Sequence, residues 1–227
     1  MIPAYNEEES IEAVVRPFLD ASYPFDYLIV NDGSTDRTAE ICRENGYHTL
    51  NLSMNLGLTY AIKAGMRYAV EHGYSFAAQF DGDGQHDIRY LAPLLKAVEE
   101  GNCDIAIGSR FLKRPPKLSM RTLGGRILSG TIYLCSGQKL TDPTSGMRLF
   151  NRRMIELYAN IPNINPEPDT IGYLIHCGIR VMEIPVEMHE RTGGKSKFTL
   201  GTSVTYMIKT AFSLIFIQWF RRKESFL

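Results

Sequence analysis

The run Gln79-Phe80-Asp81-Gly82-Asp83-Gly84-Gln85-His86 carries acid, acid and amide at alternate positions 81, 83 and 85. It follows Tyr74-Ser75-Phe76-Ala77-Ala78, a short apolar stretch that predicts a buried strand. Asp81 and Asp83 therefore stand where a strand gives way to a glycine-rich loop. In an extended backbone, residues two apart share a face, so Asp81, Asp83 and the Gln85 amide can converge. Hard oxygens of this kind suit Mg²⁺ or Mn²⁺, which take one or two carboxylates and complete their shell with water and phosphate oxygens. The chemistry predicted is the holding of a diphosphate. Asp-Gly pairs also make ordinary turns, and the spacing alone leaves both readings open.

Other polar residues cluster at predicted strand ends. Tyr27-Leu28-Ile29-Val30 runs into Asn31-Asp32-Gly33-Ser34-Thr35-Asp36, and Cys103 to Gly108 runs into Ser109 and Arg110. The segment 111–126 is basic and contains Pro115 and Pro116, so it reads as a loop able to grip a second anion or as a solvated surface. Residues 141–150 form a turn-rich stretch with Asp142, Arg148 and two hydroxyl side chains following Pro143. Glu190-Arg191-Thr192-Gly193-Gly194-Lys195-Ser196-Lys197 surrounds a glycine pair with three cations, which suits a phosphate clamp or a surface loop. Asp142, Glu167 and Asp169 are the candidate general bases, although acids at 167 and 169 also fit a helix N-terminus.

These residues need a scaffold, and the pattern supplies one. After Glu7-Glu8-Glu9, the apolar positions Ile11, Val14, Val15 and Phe18 recur with helical spacing, with Pro17 expected to shorten or kink the helix. Further helices are predicted over 37–45, 58–72, 88–99 and a stretch including 170–177. Strands are predicted over 47–52, up to 78, over 103–108 and over 180–186. Strands alternating with helices predict an α/β fold with a mostly parallel, Rossmann-like sheet covered on both faces. In such sheets ligands gather at strand carboxyl ends, where Asp32, Asp81, Asp83 and Ser109 all fall. Before Pro3 almost nothing is left for a first strand, which is expected to be a stub.

The 227 residues suit one domain, and 25 Lys plus Arg against 25 Asp plus Glu gives no global charge pointing to nucleic acid. The four cysteines show no metal-ligand spacing and read as reduced cytosolic thiols. No secretory leader is recognisable at the start. Ser203 to Phe220 is rich in aromatic and apolar residues and is followed by Arg221-Arg222-Lys223. It is borderline in length for a membrane span and carries Lys209, so an in-plane helix on anionic lipid is expected, with packing on the domain or a second subunit as the alternative.

Pro3-Ala4-Tyr5-Asn6-Glu7, Asn31 to Asp36, Asp81 to His86, Gly108-Ser109-Arg110 and Asp142 to Gly146 occur in order. Together they resemble the family 2 inverting glycosyltransferases of GT-A fold. Within these they are most similar to the dolichyl-phosphate mannose synthase and bacterial polyprenyl-phosphate glycosyltransferase branch. The resemblance implies a GT-A domain over 1–200 and a separate apolar helix over 201–227. It implies that Pro3, Tyr5, Glu7, Asp32, Asp81, Gly108 and Ser109 border the nucleotide sugar. Asp81, Asp83 and Gln85 would hold the metal, Mg²⁺ or Mn²⁺, and Asp83, Arg110 and Asp142 would form the catalytic set. Arg121, Arg191, Lys195, Ser196 and Lys197 would hold the acceptor phosphate. Two departures stand out: the first strand is nearly absent, and a single tail helix replaces the transmembrane bundle some members append.

The expected activity is sugar transfer from a UDP- or GDP-sugar to a polyprenyl phosphate, by a protein peripheral on the cytoplasmic face of the cell membrane. The alternative is transfer to a saccharide in cell-wall or capsule assembly. A homo-oligomer through the apolar tail is a further expectation.

Overall fold

The computed structural model describes residues 1–20, 23–113, 120–188, 210, 212 and 213, without the side chains of 120, 121 and 123. Strands β1 (Ile2–Ala4), β2 (Ile29–Asn31) and β3 (Thr49–Asn51) pair in parallel in the order β1-β2-β3. Strands β4 (Phe76–Gln79), β5 (Ile105–Ser109), β6 (Arg148–Asn151) and β7 (Val181–Pro185) form the order β4-β6-β5-β7. Here β5 and β7 run parallel, while β6 is antiparallel to both its neighbours. Two backbone hydrogen bonds join the halves: the Met1 amine donates to Ala78 O at 2.7 Å, and Phe80 N–H donates to Met1 O at 3.0 Å. That staggered pair is the pattern of a parallel ladder, so β1 lies beside β4 and one mixed sheet runs through the molecule. The first strand is the expected stub of three residues.

Helices α1 (Ile11–Leu19), α2 (Thr38–Glu44) and α4 (Leu91–Glu99) contribute to one core with Leu149 and Ala106. Helices α3 (Leu58–Glu71), α5 (Met120–Ser136), α6 (Arg152–Asn160) and α7 (Pro168–His176) contribute to another with Ile105, Ile107 and Phe150. Alternate residues of β5 and β6 thus enter opposite cores, the period of two that a covered sheet requires. In α1, Ile11, Val14 and Val15 are buried, and Pro17 sits inside the helix near its end.

Three elements were not legible in the sequence. Segment 111–126 was expected as a loop, yet α5 begins at Met120, so 120–126 is helical. The turn-rich stretch 141–150 ends in a strand, β6, and α6 follows at once. The charge of Arg148 concealed β6. Its guanidinium is buried, but Nε, Nη1 and Nη2 donate to the carbonyls of Ser145, Pro166 and Pro143 at 2.9, 2.5 and 2.9 Å. A buried cation is tolerated when its donors are satisfied in this way.

Candidate active site

The first two motif loops are bonded to each other. Asn6, held at φ 57°, accepts Thr35 N–H at 2.8 Å on its side-chain oxygen, and its own N–H donates to Ser34 Oγ at 3.0 Å. Glu7 N–H donates to Thr38 Oγ1 at 2.9 Å. Ser10 Oγ lies 2.9 Å from Glu7 Oε2 and 2.8 Å from the Gly82 carbonyl, tying these loops to the third motif. Pro3 and Tyr5 are half-buried beside this junction. Asp32 is buried, and its two oxygens accept the N–H groups of Leu56 and Gly57, each at 2.8 Å. It thereby fixes the loop leading into α3. Gly33 is needed beside it: φ is 62°, and a Cβ would lie 2.4 Å from the Met54 carbonyl carbon.

Beyond Phe80 the chain does not stay extended as expected. It bends through Gly82 and Asp83, with Gly84 at φ 75° and Asp83 Oδ1 accepting Gln85 N–H at 3.1 Å. An aspartate capping a backbone N–H two residues ahead is an Asx turn. Asp81 is the more exposed carboxylate of the two, its side chain 34% accessible against a largely buried Asp83. Its Oδ1 accepts Gln79 Nε2 at 3.2 Å, and its Oδ2 lies 3.7 Å from His86 Nε2. His86 Nδ1 accepts the Asp81 N–H at 3.0 Å, which puts the ring proton on Nε2, facing that carboxylate. His86 is buried edge-on against Phe80, the centroids 5.2 Å apart. The floor under Asp81 is Gly146, where a Cβ would lie 1.9 Å from Oδ2.

The last motifs meet through an ion pair. Arg110 Nε and Nη2 donate to Asp142 Oδ2 and Oδ1 at 2.7 and 2.8 Å, and Arg110 N–H adds a bond of 3.2 Å. The Asp142 side chain is fully buried, and that of Arg110 is 35% exposed. Burial alone would lower the Arg110 pKa, but the bonds and charge of Asp142, with Asp81 and Asp83 behind them, outweigh burial and raise it. A fork so held is a permanent cation facing the acidic turn. Ser109 Oγ and Thr141 Oγ1 are bonded at 2.7 Å, and Gly108 packs against Met147 and Val186.

Glu183 is the residue the sequence reading missed. From β7 its Oε1 accepts Asp142 N–H and its Oε2 accepts Thr141 N–H, both at 2.7 Å. It holds the backbone that carries Asp142. The signal was present as a carboxylate at the centre of the apolar run Val181-Met182-Glu183-Ile184.

Arg121 lies in the first turn of α5, its side chain outside the described residues, and Arg191, Lys195, Ser196 and Lys197 lie wholly outside them. Glu167 is the residue before the first turn of α7 and Asp169 is within that turn; Asp169 Oδ2 accepts Ser213 Oγ at 2.7 Å. That bond sets one point of the tail against α7. Most of 201–227 is outside the described residues, among which no helix is long and apolar enough to cross a membrane. The described cysteines form no disulfide. A cavity of about 890 Å³ opens at the other end of the sheet, lined by Phe18, Tyr27, Leu28, Ser75 and Phe76 at the amino ends of β2 and β4. Ligands of such sheets bind beyond the strand carboxyl ends, so the acidic rim is the stronger candidate.

Among the described residues no group of three or more His, Cys, Asp or Glu side chains is arranged to hold a metal. Among the described residues, therefore, no closed cage of His, Cys and carboxylate ligands of the zinc type is built. Two carboxylates on one turn, one of them open to solvent, fit the sparser demand of Mg²⁺ or Mn²⁺, whose other ligands are water and phosphate. Gln85 is half-buried on the same turn, where its backbone N–H caps Asp83.

A mixed, mostly parallel sheet with its motif loops gathered at one rim defines an α/β transferase of GT-A architecture. The chain belongs to glycosyl transferase family 2, whose model, "Glycosyl transferase family 2", matches residues 1–158, and it is a glycosyltransferase. It is 32% identical to the undecaprenyl-phosphate mannosyltransferase of Micrococcus luteus, over 88% of this chain and 87% of that protein. It is 30% identical to the polyprenol monophosphomannose synthase of Mycolicibacterium smegmatis, over 93% and 84%. Its fold is similar to that of glucosyl-3-phosphoglycerate synthase from Mycobacterium tuberculosis, with TM-score 0.66, 18% identity and coverage of 94% and 78%. A complex of that enzyme with Mn²⁺, UDP and glucosyl-3-phosphoglycerate aligns with TM-score 0.62, 18% identity and coverage of 94% and 77%.

Proposed function

We propose that this glycosyltransferase moves a sugar, with inversion, from a nucleoside-diphosphate sugar to a polyprenyl phosphate at the cytoplasmic face of a membrane. The relatives named for polyprenol and undecaprenyl phosphate support the acceptor class. The observation that carries the reading is the Arg110–Asp142 fork. Of the three candidate bases, Asp142 is fully buried and bound to the Arg110 guanidinium. Glu167 and Asp169 stand at the amino end of α7, where Asp169 accepts Ser213 Oγ. Beside the motif loops a cation stands where Asp142 would have been the base. A saccharide hydroxyl must lose its proton as it attacks and needs a base, whereas a phosphate monoester is already anionic near neutral pH.

Asp81 and Asp83, with Gln85, would hold Mg²⁺ or Mn²⁺ on the donor diphosphate, and such a cation supplies charge neutralisation for the departing group. Arg110 stabilises the same charge from the other side, with Asp142 and Glu183 fixing its position. The loops of Pro3 to Glu7 and of Asp32 form the nucleotide side of the cleft. Arg121 and the 191–197 cluster would take the acceptor phosphate, and the 201–227 tail would bring the protein to the lipid. Either UDP or GDP can be the nucleotide.

The test is turnover of purified enzyme with a panel of UDP- and GDP-sugars, Mn²⁺ and either a short polyprenyl phosphate or an oligosaccharide. Product on the lipid phosphate, lost in Asp83→Ala, is expected. Transfer to the oligosaccharide alone overturns the acceptor assignment.

A further inference from the structure

Strand β4 ends on Gln79, a carboxamide only 3% exposed that follows the small apolar residues Ala77 and Ala78. Its Nε2 donates to Asp81 Oδ1 at 3.2 Å, while its Oε1 is buried with no hydrogen-bond partner. An unpaired buried acceptor destabilises a fold, so an apolar side chain would serve this strand better. A polar residue kept at such a position points to the carboxylate it touches.

We propose that Gln79 is a positioning residue that sets the orientation of the Asp81 carboxylate for a divalent cation. This rests on the reading of Asp81 as a metal ligand. Oδ1 is tied by Gln79, Oδ2 faces His86 Nε2, and Gly146 leaves no room for a side chain against the carboxylate, which is still 34% accessible. Hydrogen bonds that orient a liganding carboxylate govern metal affinity, and losing one weakens binding about 10–100-fold.

The experiment measures Mn²⁺ binding by electron paramagnetic resonance of the full chain with UDP present, alongside thermal melting. Gln79→Met removes the donor at constant volume, and Gln79→Asn keeps an amide too short to reach Oδ1. Both are expected to bind Mn²⁺ about 10–100-fold more weakly. UDP affinity in metal-free buffer stays unchanged, and Gln79→Met melts at or above the wild-type temperature. A residue that merely fills the end of β4 gives the reverse pattern, a lower melting temperature with Mn²⁺ affinity intact, and that result overturns the proposal. If Asp83→Ala abolishes Mn²⁺ binding while both Gln79 variants bind normally, only the role of Gln79 falls. If Asp83→Ala binds Mn²⁺ like wild type, the metal reading fails and takes this inference with it.

Discussion

Gly146 lies directly beneath the Asp81 carboxylate, so close that a methyl group there would sit 1.9 Å from Oδ2. Two motifs far apart in sequence are thereby fitted to each other by the absence of a side chain. Gly146→Ala must push Asp81 aside. Because misplacement of a reacting group by about 1 Å can cost on the order of 100-fold, turnover should fall by about that factor. Circular dichroism should remain native, and a variant with wild-type turnover would show that Asp81 needs no fixed position.

Asp142 binds the Arg110 guanidinium with both side-chain oxygens. Asp142→Asn replaces one acceptor of the fork with a donor, and Arg110→Lys replaces a two-pronged fork with a point charge. Each should lower kcat about 100-fold with the donor KM changed only a few-fold, since a donor aimed at developing charge contributes on that scale. Steady-state kinetics at saturating acceptor decides. If Asp142→Asn instead alters only KM, Asp142 contributes to binding and not to charge stabilisation.

Glu183 supports this pair from β7. Glu183→Gln sets an amide N–H₂ against one of two backbone donors and should cost about 1–3 kcal/mol. For a chain of this size that lowers Tm by about 2–4 °C per kcal/mol. Turnover should fall as well, because Asp142 rides on the released backbone. Retained Tm with normal turnover would remove Glu183 from the support.

Asp104, buried at the start of β5, accepts Arg180 N–H at 3.0 Å and Asn151 Nδ2 at 2.9 Å, and pairs with the Arg180 guanidinium. Burial alone would raise its pKa, but Arg180 and Asn151 outweigh burial and hold it below the ordinary carboxylate range. A depressed folded pKa gives stability that is present above the unfolded value of about 3.9 and lost as pH falls through the folded value. Asp104→Asn should therefore be less stable than wild type at pH 7, by about 1–2 kcal/mol. The gap should narrow in acid, as urea melts from pH 7 to 3 will reveal. Parallel pH curves for the two proteins would contradict it.

Much of the α/β alternation could be read in advance because each element carries its own periodicity. Ile11, Val14 and Val15 mark α1 without help from the rest of the chain, and the apolar run before Asp81 marks β4. Arg148 defeated the same reading at β6, since its burial depends on carbonyls that only the folded loops of 143–145 and 166 provide. Helix α5 was hidden by the basic, proline-bearing stretch before it and by the glycine pair Gly124-Gly125 within it. At the site, Asp81, Asp83, Arg110 and Asp142 were all visible as residue types, but their partnerships were not.

The sequence by itself determined the family, the alternating fold and which polar residues stand at strand ends, because these are properties of contiguous segments. Tertiary structure alone decided that β6 enters antiparallel between β4 and β5, that Asp142 is bound to Arg110 and that Gly146 floors Asp81. The Arg110–Asp142 pair joins positions 32 residues apart in the chain. Whether a carboxylate is a base, a ligand or a support depends on which charge and which backbone donors the folded sheet brings within 3 Å of it.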